Sequence, residues 1–190
     1  MEKPKRIVVG ISGGSGAVYA LALLGQLRSL SVETHLVVSR MGALVMRHEC
    51  DVSLDELKGW ADRWYDDDDL AAPISGGSFG TSGMAIVPCS MKTLASVAGG
   101  LSESLLARAA DVTLKERRRL VLVTRESPLS AIHLENMLRA TRCGAIVMPA
   151  SPGFYHRPET VAEMVVSFSG RVLDALGLEH DLTQRWGEHD

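Results

Sequence analysis

The chain has 190 residues, 46% of them hydrophobic and 23% charged, with a formal net charge of −3. That length fits one domain able to bury about 70% of the surface its unfolded chain exposes, and the slightly acidic balance argues against a general affinity for nucleic acid or membrane. The three cysteines, Cys50, Cys89 and Cys143, show no Cys-x-x-Cys spacing and no histidine pair at zinc-ligand distance, so neither a disulfide framework nor a metal is expected and small buried thiols are predicted.

No run of about 18 apolar residues occurs, and Met1 to Arg6 lead straight into a strand, which predicts a cytoplasmic protein. Ile7 to Ser12 is that strand. It ends in Gly13-Gly14-Ser15-Gly16, and the apolar spacing from Ala17 to Leu30 predicts a helix. The glycines let N–H groups at a helix start approach an anion, which the helix dipole favours further. The Gly-x-Gly-x-x-Gly spacing is absent and no acidic residue ends the second strand, which argues against an ordinary dinucleotide site.

The second strand, Thr34 to Val38, ends at Ser39-Arg40, placing a hydroxyl and a cation at a carboxyl end. His35 lies among alternating apolar neighbours and reads as structural. Met41 to Cys50 is the next predicted helix, with Glu49 either on the surface or turned into a site. An amphipathic helix carrying Leu54, Leu57, Trp60, Ala61 and Trp64 follows, then four aspartates, Asp66 to Asp69, that read as a solvated turn. The loop Gly76 to Gly83 is of the small-residue kind that wraps a ligand or another backbone. Strand Met84 to Val87 then feeds Pro88-Cys89-Ser90-Met91-Lys92-Thr93, where hydroxyls at a helix start make a second anion cradle.

Leu101 to Ala110 is predicted helical and Leu120 to Thr124 a strand. Lys115, Arg117, Arg118 and Arg119 between them read as a solvated basic helix face or as ligands of something anionic. The strand ends on Arg125-Glu126-Ser127-Pro128, and the carboxyl end of a strand is where open α/β sheets hold ligands. A helix after Pro128 is expected to turn Ile132, Leu134, Met137 and Leu138 inward. Strand Ala145 to Met148 exits into the stiff, aromatic segment Pro149 to Pro158, which reads as a pocket wall. The closing helix, Thr160 to Leu176, carries Arg171 amid apolar positions. Strand–helix alternation throughout predicts a doubly wound parallel sheet with helices on both faces, in a single domain spanning 1–190 with a core from about 5 to 177.

Gly10 to Ala17, Pro88 to Leu94, Arg108 to Val112, Leu114 to Arg118, Arg125 to Leu129, Ile132 to Leu138 and Phe154-Tyr155-His156 together resemble the UbiX-type flavin prenyltransferases, long labelled aromatic-acid decarboxylases. The resemblance runs from about Ile7 to Trp186. It implies a flavodoxin-like α/β/α subunit in a homo-oligomer, dodecameric in the family, with FMN held between subunits. The implied reaction joins a dimethylallyl group from dimethylallyl monophosphate to N5 and C6 of reduced FMN, without a metal. The product is the cofactor of a separate UbiD-type decarboxylase.

Carried over residue by residue, the resemblance implies FMN binding by Gly13, Gly14, Ser15, Ser39, Ser90, Met91, Lys92, Thr93 and Arg125. Arg108, Lys115, Arg125, Tyr155 and Arg171 would hold the donor phosphate. Glu49 and Glu126 would be the carboxylates at the reacting atoms, with Ser15 and Lys115 assisting and Trp186 in a closing segment of about 178–190. Gly14 departs from a commoner alanine, Arg40-Met41-Gly42 from a Lys-Ala-Ala-like run, and Glu103-Ser104 from an Asp-Asn pair. Two other readings are an FMN carrier or storage protein, which leaves Lys115, Glu126 and Arg171 without a task, and a peptidyl-cysteine-type flavin decarboxylase. The latter expects an early catalytic histidine that Ser12 to Ala17 lacks.

Overall fold

The computed structural model describes residues 5–182 together with Gly187. Its strands are β1 (Arg6–Ile11), β2 (Glu33–Val38), β3 (Arg63–Tyr65), β4 (Gly83–Cys89), β5 (Arg119–Thr124) and β6 (Ile146–Pro149), all parallel, in the order β3-β2-β1-β4-β5-β6. The helices are α1 (Ala17–Ser29), α2 (Arg40–Cys50), α3 (Leu54–Lys58), α4 (Met91–Gly99), α5 (Leu105–Lys115), α6 (Ala131–Arg142) and α7 (Val161–Leu176). This is the flavodoxin-like doubly wound fold, with short β3 added at the edge beyond β2.

Parallel strands covered on both faces read as continuous apolar runs, and β4 is buried along its whole length. Ile7, Val9 and Ile11 face α1 and α7 in one core layer, where Leu23, Leu27, Phe168 and Leu173 pack. Met84, Ile86 and Leu122 face the other, with Leu94, Leu105 and Ala109 from α4 and α5. The strand order reverses between β1 and β4, which opens a crevice at the carboxyl ends there.

Four expectations are corrected. The helix predicted through Trp64 stops at Lys58, because the backbone bond from Asp62 N to Thr34 O, plus the Asp62 carboxylate on Thr34 N (2.8 Å), pulls Arg63 to Tyr65 into register with β2. Ile132, Leu134 and Leu138 do not face inward: they are 68%, 53% and 51% exposed, and Ala140 is the buried residue of α6. The basic run forms no helix face, since α5 ends at Lys115 and Arg117 takes a left-handed turn at φ 57°. Arg118 donates to Gly77 O, Phe79 O and Thr81 Oγ1, so the Gly76–Gly83 loop wraps an arginine. Of the three thiols only Cys89 is buried, Cys50 being half-buried and Cys143 exposed.

Candidate active site

Three helices start at the carboxyl edge beside the crevice, two of them capped by their own local sequence. Ser39 caps α2, its Oγ accepting from Gly42 N, and Ser90 caps α4, its Oγ accepting from Thr93 N. The remaining N–H groups of each first turn present positive ends to the crevice. Sequence reading missed the residue that joins the β1 and β4 loops. Buried Ser12 donates to Pro88 O (2.9 Å) and accepts from Ser90 N (2.7 Å), so one hydroxyl sets two loops against each other. Its signal was a hydroxyl ending a strand otherwise wholly apolar.

Glycine is required where these loops touch. A Cβ on Gly42 would lie 2.5 Å from Ile11 O, and one on Gly13 would lie 2.6 Å from Met41 Cβ. Gly42 within the Arg40-Met41-Gly42 departure therefore fits this chain's own packing. At Gly14 an added Cβ would meet nothing closer than Pro88 Cβ at 3.4 Å, so the commoner alanine would also fit. A cleft of about 560 Å³ opens along this edge, lined by Gly13, Ser39, Ser90, Lys92, Thr93 and Ser104 among others. Ser104 caps α5 through Ala107 N, and Asp67, far from forming a merely solvated turn, accepts from Leu106 N at 2.9 Å. At the same sheet edge the buried Thr124 Oγ1 has no partner among the described residues.

Glu49 turns from the end of α2 to cap α1. Its Oε2 accepts from Gly16 N and Ala17 N, both at 2.8 Å. Gly16 holds the left-handed conformation, φ 108°, that aims these donors at the carboxylate. Burial alone would push the Glu49 carboxyl up. Hydrogen bonds from Ser15, Ala17 and Gly16, with the positive charge of Arg125, outweigh it and hold the group below the usual carboxylate range. Ser15, Glu49 and Arg125 are thereby one cluster. Tyr19 belongs to it too and was missed: burial pushes its phenol up while Arg125 draws it down, and its ring meets Phe168 edge-on at 5.0 Å.

Phe168 leads to a second pocket, of about 360 Å³, past the end of β6. Met148 and Pro149 line it from the end of β6, Gly153 and Tyr155 from the loop that follows, and Ser167, Phe168 and Arg171 from α7. Tyr155 and Arg171 therefore share one pocket. Arg171 Nη1 donates to Asp174 Oδ2 at 2.6 Å.

The remaining predicted residues fall outside these two pockets. Arg125 and Glu126 are exposed at the end of β5, and Met91 is the first residue of α4. Arg108, inside α5, donates to Ser75 O and Asp111. Lys115 pairs with Glu116 at the amino edge of the sheet, against Gly77. The whole of β5 separates it from Arg125, roughly 20 Å at about 3.3 Å per residue, so one chain cannot bring both to one phosphate. Trp186 lies outside the described residues. Burial pushes the Cys89 thiol up to about 12, which removes it as a nucleophile. Among the described residues no group of three His, Cys, Asp or Glu side chains could hold a metal ion, and no helix is long and apolar enough to cross a membrane.

Capped helix starts around a crevice at the strand-order switch, with bare glycine backbone between them, are the features of a protein suited to a phosphate-bearing mononucleotide. Comparison with known proteins narrows the class. The flavoprotein family matches residues 1–170. The flavin prenyltransferase UbiX of Deinococcus radiodurans is 53% identical over 187 residues, which is 98% of this chain and 96% of that protein. The crystal structure of AnUbiX in complex with FMN and dimethylallyl pyrophosphate superimposes with a TM-score of 0.96 at 44% identity, covering 99% of this chain and 100% of that one. A dodecameric FMN-dependent UbiX-like decarboxylase from Escherichia coli O157:H7 superimposes with a TM-score of 0.92 at 48% identity, covering 95% and 98%. This chain belongs to the flavoprotein family, as one of its UbiX-type flavin prenyltransferases.

Proposed function

We propose that this chain joins a dimethylallyl group, taken from dimethylallyl monophosphate, to N5 and C6 of reduced FMN. The observation that carries the reading is the pairing of two sites: a backbone cradle suited to a mononucleotide, and a separate pocket with one arginine and one tyrosine suited to a small phosphate ester. A carrier protein needs only the first. Gly13, Gly14, Ser15, Ser39 and the Ser90-to-Thr93 turn would hold FMN, and the bare backbone at Gly13 and the capped starts of α2 and α4 fit its phosphate.

When bound in its reduced form the flavin supplies the nucleophile, so the protein needs no activated serine or cysteine of its own. The chain's residues bind and orient. Arg171 and Tyr155 grip the donor phosphate, which must leave as an anion, with Arg125 reaching it from outside the pocket, and apolar walls such as Phe168 and Met148 keep water from the developing allyl cation. Arg108 and Lys115 reach the same phosphate from a neighbouring copy, because their own chain sets Lys115 at the far edge of the sheet. Glu126 handles a proton during alkylation or phosphate departure. Ser15 donates a hydrogen bond to Glu49, whose carboxyl is held below its usual range, which suits Ser15 to relay a proton from the flavin to that carboxylate. Trp186 would contribute to the donor site.

The shared site requires a homo-oligomer, for which the exposed apolar side chains of α6 supply a contact surface, and we propose a dodecamer. The product would serve a UbiD-type decarboxylase. The isolated protein, supplied with aromatic acids, is therefore expected to release no carbon dioxide.

The test is to mix the purified protein, reduced FMN and dimethylallyl monophosphate anaerobically and weigh the flavin, with the diphosphate as a parallel donor. A flavin heavier by the prenyl group is expected. An unmodified flavin with both donors would overturn the reading, and a monomer by light scattering at micromolar concentration would overturn the shared site.

A further inference from the structure

We propose that His180 is a positioning residue that aims Arg171 at the donor phosphate through Asp174, so that the segment following α7 sets the pocket's cation. The inference rests on Arg171 being a phosphate ligand, as proposed above.

Three residues form an unbroken relay. Arg171 Nη1 donates to Asp174 Oδ2 at 2.6 Å, and the other oxygen of that carboxylate, Oδ1, meets His180 Nε2 at 3.1 Å. His180 Nδ1 accepts from Leu182 N at 3.0 Å. A ring nitrogen that accepts a backbone N–H carries no proton itself, so the proton of the neutral ring lies on Nε2 and points at Asp174. The network thus fixes the tautomer, and the ring cannot turn over without losing both bonds.

Burial separates the relay from an ordinary surface ion pair. The His180 side chain is 0% exposed and Asp174 19%, whereas Arg171 is 57% exposed. The inner two groups are held and the outer one is presented to the pocket. An arginine on an exposed helix face has many rotamers, and losing them on binding weakens the grip. A carboxylate three residues on, itself held from behind, restricts that freedom before the ligand arrives. Arg171 Nε and Nη2 keep no partner among the described residues, so the fork still has donors for a phosphate.

The backbone explains why the histidine arrives there. Gly177 ends α7 in the left-handed conformation, φ 73°, its N–H returning to Asp174 O, and Leu178 N bonds back to Leu173 O. Leu178 then buries in the core at 5% exposure, which folds the chain back so that the residue two further on meets Asp174. The same carboxylate therefore orients Arg171 and anchors the residues that follow α7.

Two polar variants of His180 separate the role from mere structure. His180→Gln places an amide N–H near the Nε2 position and keeps the donor to Asp174. His180→Asn matches only the Nδ1 position and serves Leu182 alone. With dimethylallyl monophosphate as the varied substrate, His180→Asn is expected to raise KM about 10-fold, a modest misplacement of a binding group, with kcat and FMN affinity near parental. His180→Gln should recover most of the loss. Equal KM values for both variants and the parent, alongside an Arg171→Ala variant whose KM does rise, would overturn the role of His180 and leave Arg171 in place. A fall in kcat and FMN affinity in both variants with the donor KM unmoved would also overturn it. If Arg171→Ala binds the donor as the parent does, the phosphate role of Arg171 fails, and the role of His180 with it.

Discussion

The crevice formed by β1, β2 and β4 and the surface formed by β5, β6 and α6 differ in how far one chain completes them. In the first, the groups that shape the helix starts have intramolecular partners: Ser12 ties two loops, Ser39 and Ser90 cap helices, and Glu49 caps a third. In the second, Arg125 and Glu126 stand exposed, α6 shows three large apolar side chains to solvent, and the loop after β6 exposes Phe154 at 69%. The crevice is preorganised, so it binds without ordering itself. The second surface is complementary to something else, and the proposed neighbouring copy would bring it the Arg108 and Lys115 that this chain holds elsewhere.

If that contrast is right, substitutions on the unfinished side should damage chemistry and donor binding, and those in the crevice should damage the fold. The largest effect is expected for Glu126→Gln. General acid–base help is worth about 10²–10⁴-fold, so single-turnover absorbance should show ring formation slowed by that range while FMN titration stays parental. A parental rate would make Glu126 structural and leave Glu49 as the carboxylate that handles the proton.

Arg125→Ala comes next. Loss of a charge-assisted contact costs about 1.5–3 kcal/mol, to be read as weaker donor or flavin binding, with an unchanged melting temperature because the side chain is exposed.

Glu49→Ala should behave in the opposite way. Removing the cap of α1 costs about 1 kcal/mol of stability at neutral pH, measured by urea unfolding. Because the folded carboxyl is held below its unfolded value, the charge's contribution is full above the ordinary carboxylate range and is lost as pH falls through the lowered value. The gap between parent and variant should therefore narrow in acid. A gap constant with pH would mean that the charge contributes nothing.

Gly14→Ala should give the smallest change, and an improvement. The site has ordinary van der Waals room, and its φ is not in the left-handed region, so fewer unfolded conformations should add about 0.4–1 kcal/mol. A destabilised variant would mean that the β1 loop is tighter than its contacts indicate.

The sequence by itself determined five of the six strands, the crevice and the family. Continuous apolar runs ending in glycine and hydroxyl residues mark buried parallel strands and helix starts without reference to anything distant, and Ser39 and Ser90 were legible because a cap is a local device. Tertiary structure decided the rest. Glu49 could be surface or site in the sequence, and only the return of α2 against α1 placed it on Gly16 and Ala17. The basic run from Lys115 to Arg119 read as one feature, yet a left-handed turn at Arg117 sent Arg118 into a loop some 40 residues earlier in the chain and left Lys115 at the far edge. Ile132, Leu134 and Leu138 carry the spacing of a buried helix face, and periodicity cannot distinguish a face covered by its own chain from one left for another. Ser12, Tyr19 and His180 escaped notice for one physical reason: their partners lie across the fold or past a reversing turn, and a bond that depends on where two segments meet has no local pattern to announce it.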